Sequence, residues 1–195
     1  TKGLDINGNQ IEEKDWLSRA DVHTMSEVIL EETNVVRVGC LSGPNLAKEI
    51  LEGQPTATVI ASEFDEVIEM GKELLTSSRF FVFASHDIIG AELAGALKNI
   101  IAIGSGILGG LGLGKNIQAM LLTRGLREMI ALGKAMGASS RSFIGTAGIG
   151  DLIATATSED TRNYRFGWHI GQGMTMEEAL ATQDEVAEGV NTLRI

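Results

Sequence analysis

The sequence predicts an α/β segment followed by an all-helical segment. Apolar, strand-like runs alternate with helix-like segments up to residue 85, and only helical spacing follows from residue 86 onward. Alternating strands and helices are typical of a mainly parallel sheet, whereas adjacent long helices with short connections favour a compact helical domain. We therefore expect two domains, at residues 1–85 and 86–195.

The first half contains the elements of the predicted sheet. Three buried strands are expected, at residues 35–41, 56–61 and 80–83. Helical spacing precedes them at residues 22–32 and separates the last two at residues 64–75. A shorter helix is expected to follow Pro44 and to end near Gly53. The turn at residues 42–45 is either a plain tight connection or a place where backbone N–H groups hold an anion.

The second half is organised around residues 86–114. Large apolar side chains recur there three or four residues apart, which predicts a buried helix face made of Ile89, Leu93, Leu97, Ile100, Ile103, Ile107 and Leu111. A neighbouring stripe combines one amine, Lys98, with small residues: Ala91, Ala94, Gly95, Ala102, Ser105, Gly106 and Gly109. Two interpretations of Lys98 stay open. Its ammonium either reaches solvent along the helix, or is partly desolvated, with a lowered pKa that suits proton transfer.

The same stretch contains a glycine pattern like that of a dinucleotide-binding fingerprint. Residues 104–109 read Gly-x-Gly-x-x-Gly after an apolar run, and Glu128 lies near the acidic offset of such a motif. A fingerprint needs a helix to begin at its third glycine, but Gly110, Gly112 and Gly114 follow at once. We therefore do not interpret this pattern as a nucleotide-binding turn.

Polar motifs follow the central stretch. A second long helix is expected at residues 116–136, and Asp151 comes after a glycine-rich approach, either as a helix cap or as a carboxylate of a site. Residues 155–163 form a run of hydroxyls that ends in a guanidinium and an amide. Such a run suits a phosphate group, but it is equally compatible with a solvated helix start. The acidic segment at residues 184–190 is interpreted as a solvated helix face.

Composition excludes several classes of function. The formal net charge is −10 and the sixteen Lys and Arg residues are scattered, which argues against a nucleic-acid surface. The single cysteine, Cys40, excludes an internal disulfide and a cysteine-based metal cluster, and the three histidines have no metal-ligand spacing, so we predict no metal. The longest uncharged apolar stretch, residues 99–114, is short and rich in glycine. We expect no signal peptide, no membrane insertion and a cytoplasmic protein.

Eight short blocks occur in order along the chain. They are Thr-Lys-Gly (1–3), Leu-Ser-Gly-Pro (41–44), Glu-Leu-x-Gly-Ala-Leu-Lys-Asn (92–99), Gly-x-Gly-x-Asn (112–116), Thr-Arg-Gly-Leu-x-Glu-Met (123–129), Gly-Ile-Gly-Asp-Leu (148–152), Thr-x-Thr-Ser-x-x-Thr-Arg-Asn (155–163) and Glu-Gly-Val (188–190). Together they resemble the successive motifs of the bacterial-type NAD(P)-dependent glycerol-3-phosphate dehydrogenases. Because eight blocks match in order over essentially the whole chain, this resemblance is far more specific than one glycine motif.

The resemblance implies a fold. Residues 1–85 would be the C-terminal part of a Rossmann-type NAD(P)-binding domain, and residues 86–195 a 6-phosphogluconate-dehydrogenase-like helical domain that binds substrate and carries catalysis. The chain would be an internal fragment that lacks the N-terminal GxGxxG region and the extreme C-terminus. The fragment alone would then be inactive.

The resemblance also implies a reaction. The family interconverts dihydroxyacetone phosphate and sn-glycerol 3-phosphate by hydride transfer with NAD or NADP, and it supplies glycerol 3-phosphate for phospholipid synthesis. The implied partner is a small phosphorylated substrate, and the implied assembly is a homodimer. Neither nucleic acid nor a membrane is implied.

The matching blocks further imply roles for residues. Lys98 resembles the catalytic lysine that gives a proton in ketone reduction, Lys2 a second lysine that stabilises charge on the oxygen, and Asp151 the group that orients Lys98 and the substrate hydroxyl. The implied substrate-binding set is Lys2, Gly43, Asn45, Lys98, Asp151, Thr161, Arg162 and Asn163. The implied cofactor-binding set is Ala47, Arg162, Val186 and Glu188. Two positions depart from the family pattern, since Asn45 replaces a usual Ser or Thr and Thr161 a usual Ser.

Two other functions stay open from the sequence. One is a different β-hydroxyacid-type NAD(P)-dependent dehydrogenase, which would share the two-domain layout and a helix lysine but act on carboxylate substrates. The other is a non-catalytic helical assembly fragment, which the missing fingerprint favours for the chain by itself.

Overall fold

The structure is a computed structural model, and it describes residues 2–6, 18–183 and 187–193. Its strands are β1 (Leu4–Ile6), β2 (Val22–Thr24), β3 (Cys40–Ser42), β4 (Thr56–Ala61) and β5 (Phe80–Ser85). Its α-helices are α1 (Met25–Glu32), α2 (Ala47–Leu51), α3 (Asp65–Leu75), α4 (Ile88–Gly110), α5 (Lys115–Ala135), α6 (Ser140–Phe143), α7 (Asp151–Thr157), α8 (Arg162–Gly171), α9 (Met176–Ala181) and α10 (Glu188–Thr192). The order confirms an α/β segment followed by helices, while the division into domains at residue 85 stays a prediction.

The described strands form two small sheets. β1 pairs antiparallel with β2, with Asp5 opposite His23. In the second sheet β4 lies in the middle, so that Ile60 faces Leu41 of antiparallel β3 on one side and Ala84 of parallel β5 on the other. The β4–α3–β5 unit has the parallel pairing expected of a Rossmann-type sheet. The sheet is mixed rather than mainly parallel, because β3 runs antiparallel to β4.

Two predicted elements of the first half are wrong at their N-terminal ends. The strand expected from residue 35 begins only at Cys40, which pairs with Ala61, the last residue of β4. Among the described residues no strand pairs with the residues before Cys40, and Val36 is 76% exposed. The helix expected from residue 22 begins at Met25, because the three residues before it pair with β1.

α4 is the core of the helical part. Leu93, Ala94 and Ala102 have no exposed surface, and α5, α7, α8 and α10 all pack around this helix. By length and composition α4 is apolar enough to cross a membrane, but 72% of its most apolar window is buried inside the protein. It is therefore buried on both predicted stripes, as expected of a core helix. The predicted apolar face stops before Leu111, which follows the end of the helix and is 59% exposed.

The glycines of the misleading fingerprint pattern lie inside α4, which confirms that they form no nucleotide-binding turn. They serve helix packing instead. A Cβ at Gly106 would overlap the backbone of Tyr164 in α8, and a Cβ at Gly167 in α8 would overlap the backbone of Ile103 in α4. Backbone therefore meets backbone where α4 and α8 cross, and we call this contact the glycine contact.

The second long helix and the glycine-rich segment also form as ordered elements. α5 confirms the helix expected at residues 116–136 within one residue at each end. Residues Thr146–Gly150 form a single π-helical turn that continues directly into α7. The first residue of α7 is Asp151, so the glycine-rich approach places this carboxylate at a buried helix start.

Candidate active site

A cleft of about 800 Å³ opens between the sheet side of the molecule and the helical part. Its walls come from the beginning of the described chain, α2, α4, α7, α8 and α10. The cleft brings together nearly all of the residues that the resemblance implicates, although they are spread from residue 2 to residue 188.

Lys98 lies at the buried end of the cleft. The residue is 4% exposed, and its Nζ donates a hydrogen bond to Thr155 Oγ1 at 2.5 Å. The same nitrogen lies 3.1 Å from Asp151 Oδ1. The interpretation of Lys98 as a snorkelling surface residue is therefore wrong, since packed helices surround α4 and leave the ammonium facing the cleft.

The surroundings of Lys98 change its protonation. Burial lowers the pKa of Lys98 from 10.5 to about 8, because a desolvated ammonium loses hydration. The charge of Asp151 opposes this effect and raises the pKa, while the positive charge of Lys2 lowers it further. Lys98 therefore changes charge close to neutral pH, as a proton donor and acceptor requires.

Asp151 holds two cations. The residue is 2% exposed, and its Oδ2 accepts a hydrogen bond from Lys2 Nζ at 2.6 Å. Its Oδ1 accepts one from Thr155 Oγ1 at 3.2 Å and faces Lys98. The alternative role as a helix cap does not apply, because Gly150 occupies the cap position of α7. One carboxylate therefore faces two lysine amines at the bottom of the cleft.

Gly43 contributes to the site by holding the Lys2 amine. Its carbonyl oxygen accepts a hydrogen bond from Lys2 Nζ at 3.3 Å, although Gly43 itself does not line the cleft. Its φ of +146° is one that side chains rarely adopt, and a Cβ would lie 3.1 Å from the Thr58 backbone. The tight turn after β3 therefore needs glycine here in order to aim the carbonyl at Lys2.

The segment after Gly43 forms the sheet-side wall. Asn45 and Ala47 both line the cleft. The Asn45 Nδ2 donates to Thr58 Oγ1 at 2.9 Å, and its buried Oδ1 has no hydrogen-bond partner among the described residues. An acceptor without a donor at this point is compatible with a ligand that carries hydroxyl or amide hydrogens.

The N-terminal end of α8 forms the opposite wall, with Thr161, Arg162 and Asn163. The Thr161 hydroxyl donates to the Thr155 carbonyl at 2.7 Å, so it does not cap the helix. Asn163 is buried, and its Oδ1 accepts from the Gly189 N–H at 2.9 Å. Arg162 is exposed to the cleft. A helix start with uncapped N–H groups and a guanidinium is suited to an anion.

The remaining implicated residues are Glu188 and Val186. Glu188 lines the cleft, and its Oε2 accepts a hydrogen bond from Asn99 Nδ2 at 3.4 Å. Val186 lies outside the described residues. The described part of the chain contains no group of three or more His, Cys, Asp or Glu residues that could hold a metal ion.

Sequence reasoning missed the part played by Thr155. This residue bridges Lys98 and Asp151 through one hydroxyl, and it was recognised only as a member of the polar run. The spacing in the sequence indicates this contact, because Thr155 is four residues after Asp151 and so lies on the same face of α7.

Two family models match the chain. The model described as the NAD-dependent glycerol-3-phosphate dehydrogenase C-terminus matches residues 87–195, and the corresponding N-terminus model matches residues 10–68. Among curated proteins, the glycerol-3-phosphate dehydrogenase [NAD(P)+] of Teredinibacter turnerae is 51% identical over 171 residues, which are 88% of this chain and 50% of that protein. The corresponding protein of Saccharophagus degradans is 45% identical over the whole chain and 51% of its own length. The chain spans about half the length of the curated relatives it matches.

Solved structures are similar to this chain as well. A glycerol-3-phosphate dehydrogenase from Coxiella burnetii superposes with a TM-score of 0.85 at 39% identity, covering 87% of this chain and 52% of that one. A protein of Dunaliella salina, named DsGPDH, superposes with a TM-score of 0.85 at 27% identity, covering 98% of this chain and 35% of that one. Since the C-terminal family model alone covers more than half of the sequence, the chain belongs to the NAD-dependent glycerol-3-phosphate dehydrogenase family.

Proposed function

We propose that a protein of the relatives' length that carries this chain, called the full-length enzyme below, interconverts dihydroxyacetone phosphate and sn-glycerol 3-phosphate with NAD(H) or NADP(H). The observation that carries this proposal is the pair of lysines on one buried carboxylate, Lys2 and Lys98 on Asp151. This group lies in one cleft with the anion-binding start of α8. The names of the relatives support the same reaction.

Lys98 is the proton carrier. Reduction of a ketone places negative charge on the carbonyl oxygen, and the Lys98 ammonium donates its proton to that oxygen. In the reverse direction the neutral amine accepts the proton of the substrate hydroxyl. A pKa of about 8 keeps both forms accessible near neutral pH.

Lys2 and Asp151 prepare the charge at the reaction centre. The Lys2 ammonium stabilises the developing alkoxide by its positive charge, which the surrounding protein screens less than water does. Asp151 holds both ammonium groups, at 2.6 Å and 3.1 Å, so that they face the same part of the cleft. Thr155 accepts a hydrogen bond from Lys98 and thereby fixes the direction of the amine.

The start of α8 binds the phosphate group. Arg162 offers a planar fork that matches two phosphate oxygens, and the first-turn N–H groups add the partial positive charge of the helix end. Asn163 is held to Gly189 of α10, so the helix start has a fixed position relative to the neighbouring wall.

The cleft also fits the nicotinamide end of the cofactor. Ala47, Arg162 and Glu188 line it together with Lys98, and the unpaired acceptor Asn45 Oδ1 suits a hydroxyl or amide donor. When bound, the cofactor supplies or accepts the hydride. In the proposed enzyme these residues would hold the cofactor in the same cleft as Lys98.

The wider biological role is proposed from the family resemblance. The full-length enzyme would act in the cytoplasm as a homodimer and supply glycerol 3-phosphate for phospholipid synthesis. The burial of α4 within the protein supports a role without membrane insertion.

Oxidation of NADH and of NADPH by the full-length enzyme tests the proposal. We expect turnover with dihydroxyacetone phosphate and none with 2-keto or 3-keto acids. Activity with a keto acid and none with dihydroxyacetone phosphate would show that the enzyme is a β-hydroxyacid-type dehydrogenase instead.

A further inference from the structure

Arg165 is a cation of the cleft that has no role in the proposed mechanism. Arg165 lies in α8 one helical turn after Arg162, and both residues are exposed and line the cleft. Three residues along an α-helix correspond to a rise of about 4.5 Å, and residues at this spacing share one face. Helix side chains also lean towards the N-terminal end. Arg165 therefore extends towards the anion-binding start of α8.

The other cations of the cleft already have partners. Lys2 and Lys98 share Asp151, and Lys48 Nζ lies 3.2 Å from Asp160 Oδ2. Arg162 is engaged as well. The guanidinium of Arg165 makes no hydrogen bond or ion pair with any residue that the structure describes.

We propose that Arg165 binds a phosphoryl group of the ligand in this cleft. The proposal rests on the proposed function, because that function requires phosphorylated ligands. Arg carries a permanent charge and a fork of N–H donors that matches two oxygens of a phosphoryl group. Two such groups exist in the reaction, the phosphate of the substrate and the diphosphate of the dinucleotide. Both present the chemistry that Arg165 recognises.

The test compares Arg165→Ala, Arg165→Gln and Arg165→Lys in the full-length enzyme with Arg127→Ala. Arg127 is a matched control, since it is an exposed arginine of the neighbouring α5 that does not line the cleft. The KM of dihydroxyacetone phosphate, NADH and NADPH and the inhibition constant of inorganic phosphate are measured for each variant. Folding is checked by circular dichroism and thermal unfolding.

We expect Arg165→Ala and Arg165→Gln to raise one KM about tenfold or more, with a much smaller change in kcat. Arg165→Lys should recover part of the loss because it keeps the charge without the fork, and Arg127→Ala should behave like the wild type. A selective rise in the KM of dihydroxyacetone phosphate, with weaker inhibition by phosphate, identifies the substrate phosphate as the bound group. A selective rise in the KM of both nicotinamide cofactors identifies the diphosphate.

Unchanged KM values for all three ligands in folded Arg165→Ala would overturn the proposal. The proposal would also be overturned if the KM of dihydroxyacetone phosphate and that of unphosphorylated dihydroxyacetone rose equally while the cofactor KM values stayed unchanged. The effect of Arg165 would then not depend on a phosphoryl group. Failure of the proposed function gives a different result, namely no turnover of dihydroxyacetone phosphate by the wild type.

Discussion

Lys2 Nζ lies 2.6 Å from Asp151 Oδ2, although 149 positions separate the two residues in the sequence. This contact joins the first described residue, on the sheet side, to the first residue of a helix in the other half. The carboxylate that receives it also faces Lys98, so the contact completes a site that neither half contains alone.

Replacing Lys98 by alanine should remove turnover from the full-length enzyme and leave cofactor binding largely intact. The substitution removes the proton carrier, and loss of general acid–base catalysis typically lowers the rate by about 10²–10⁴-fold. Steady-state kinetics measure the first effect, and fluorescence titration with NADH or NADPH measures the second. Near-normal turnover would contradict the assigned role.

The dependence of kcat/KM on pH should be opposite in the two directions. Ketone reduction needs the Lys98 ammonium, so its kcat/KM should fall as the pH rises through about 8. Alcohol oxidation needs the neutral amine, so its kcat/KM should rise through the same range and then level off. Profiles that change in the same sense in both directions would exclude Lys98 as the titrating group.

The variant Asp151→Asn should shift these profiles to lower pH and reduce kcat. The carboxylate raises the pKa of Lys98, so its removal leaves desolvation and Lys2 to lower that pKa further. Asp65→Asn is a matched control, because Asp65 is exposed and its ion-pair partner among the described residues is His86 on the surface. An unchanged midpoint in Asp151→Asn would show that Asp151 does not set the protonation of Lys98.

Arg162→Ala should mainly raise the KM of phosphorylated substrate. Loss of a hydrogen bond to a charged group costs about 1.5–3 kcal/mol, which corresponds to an increase in KM of roughly 10- to 150-fold. The KM of unphosphorylated dihydroxyacetone should rise much less, since this substrate has no phosphate group for the guanidinium to bind. Steady-state kinetics with both substrates measure the two KM values. An equal rise in both would argue against a phosphate-binding role of Arg162.

The variants Gly106→Ala and Gly167→Ala should destabilise the fold. Each adds a Cβ against the backbone of the facing helix, which cannot move aside as a side chain can. Overpacking of this kind costs about 1–3 kcal/mol, which lowers Tm by several degrees. Gly104→Ala is the matched control, because Gly104 also lies inside α4 and a Cβ there would meet, among the described residues, the movable end of the Leu121 side chain rather than backbone. Equal melting temperatures for all three variants would contradict the glycine contact.

Periodicity predicted the helices well because spacing along the chain is a local property. The helix at residues 88–110 and the long helix after it both follow from apolar positions three and four apart. The pairing of the strands was harder to predict from the sequence. That β3 runs antiparallel to β4 and begins only at Cys40 depends on where β4 ends, and no local pattern around residue 35 contains that information.

The site was accessible from the sequence only in part. The spacing around Lys98 left its burial undecided, since a stripe of small residues does not say what packs against it. The structure decides the question through α7 and α8, which contribute Asp151, Thr155 and the start of α8. The eight ordered motifs predicted that these distant residues share one site. A family resemblance implies which residues are close in space, whereas composition and periodicity do not.

The glycine contact has a consequence for how the cleft of this protein can change its size. Peptide groups rather than side chains separate α4 from α8 at Gly106 and Gly167, so no rotamer change there can widen the gap. The backbone contact therefore sets the separation of α4 and α8, the helices that carry Lys98 and Arg162. A longer or shorter substrate would have to be accommodated on the opposite side, by the segment that holds Asn45 and Ala47.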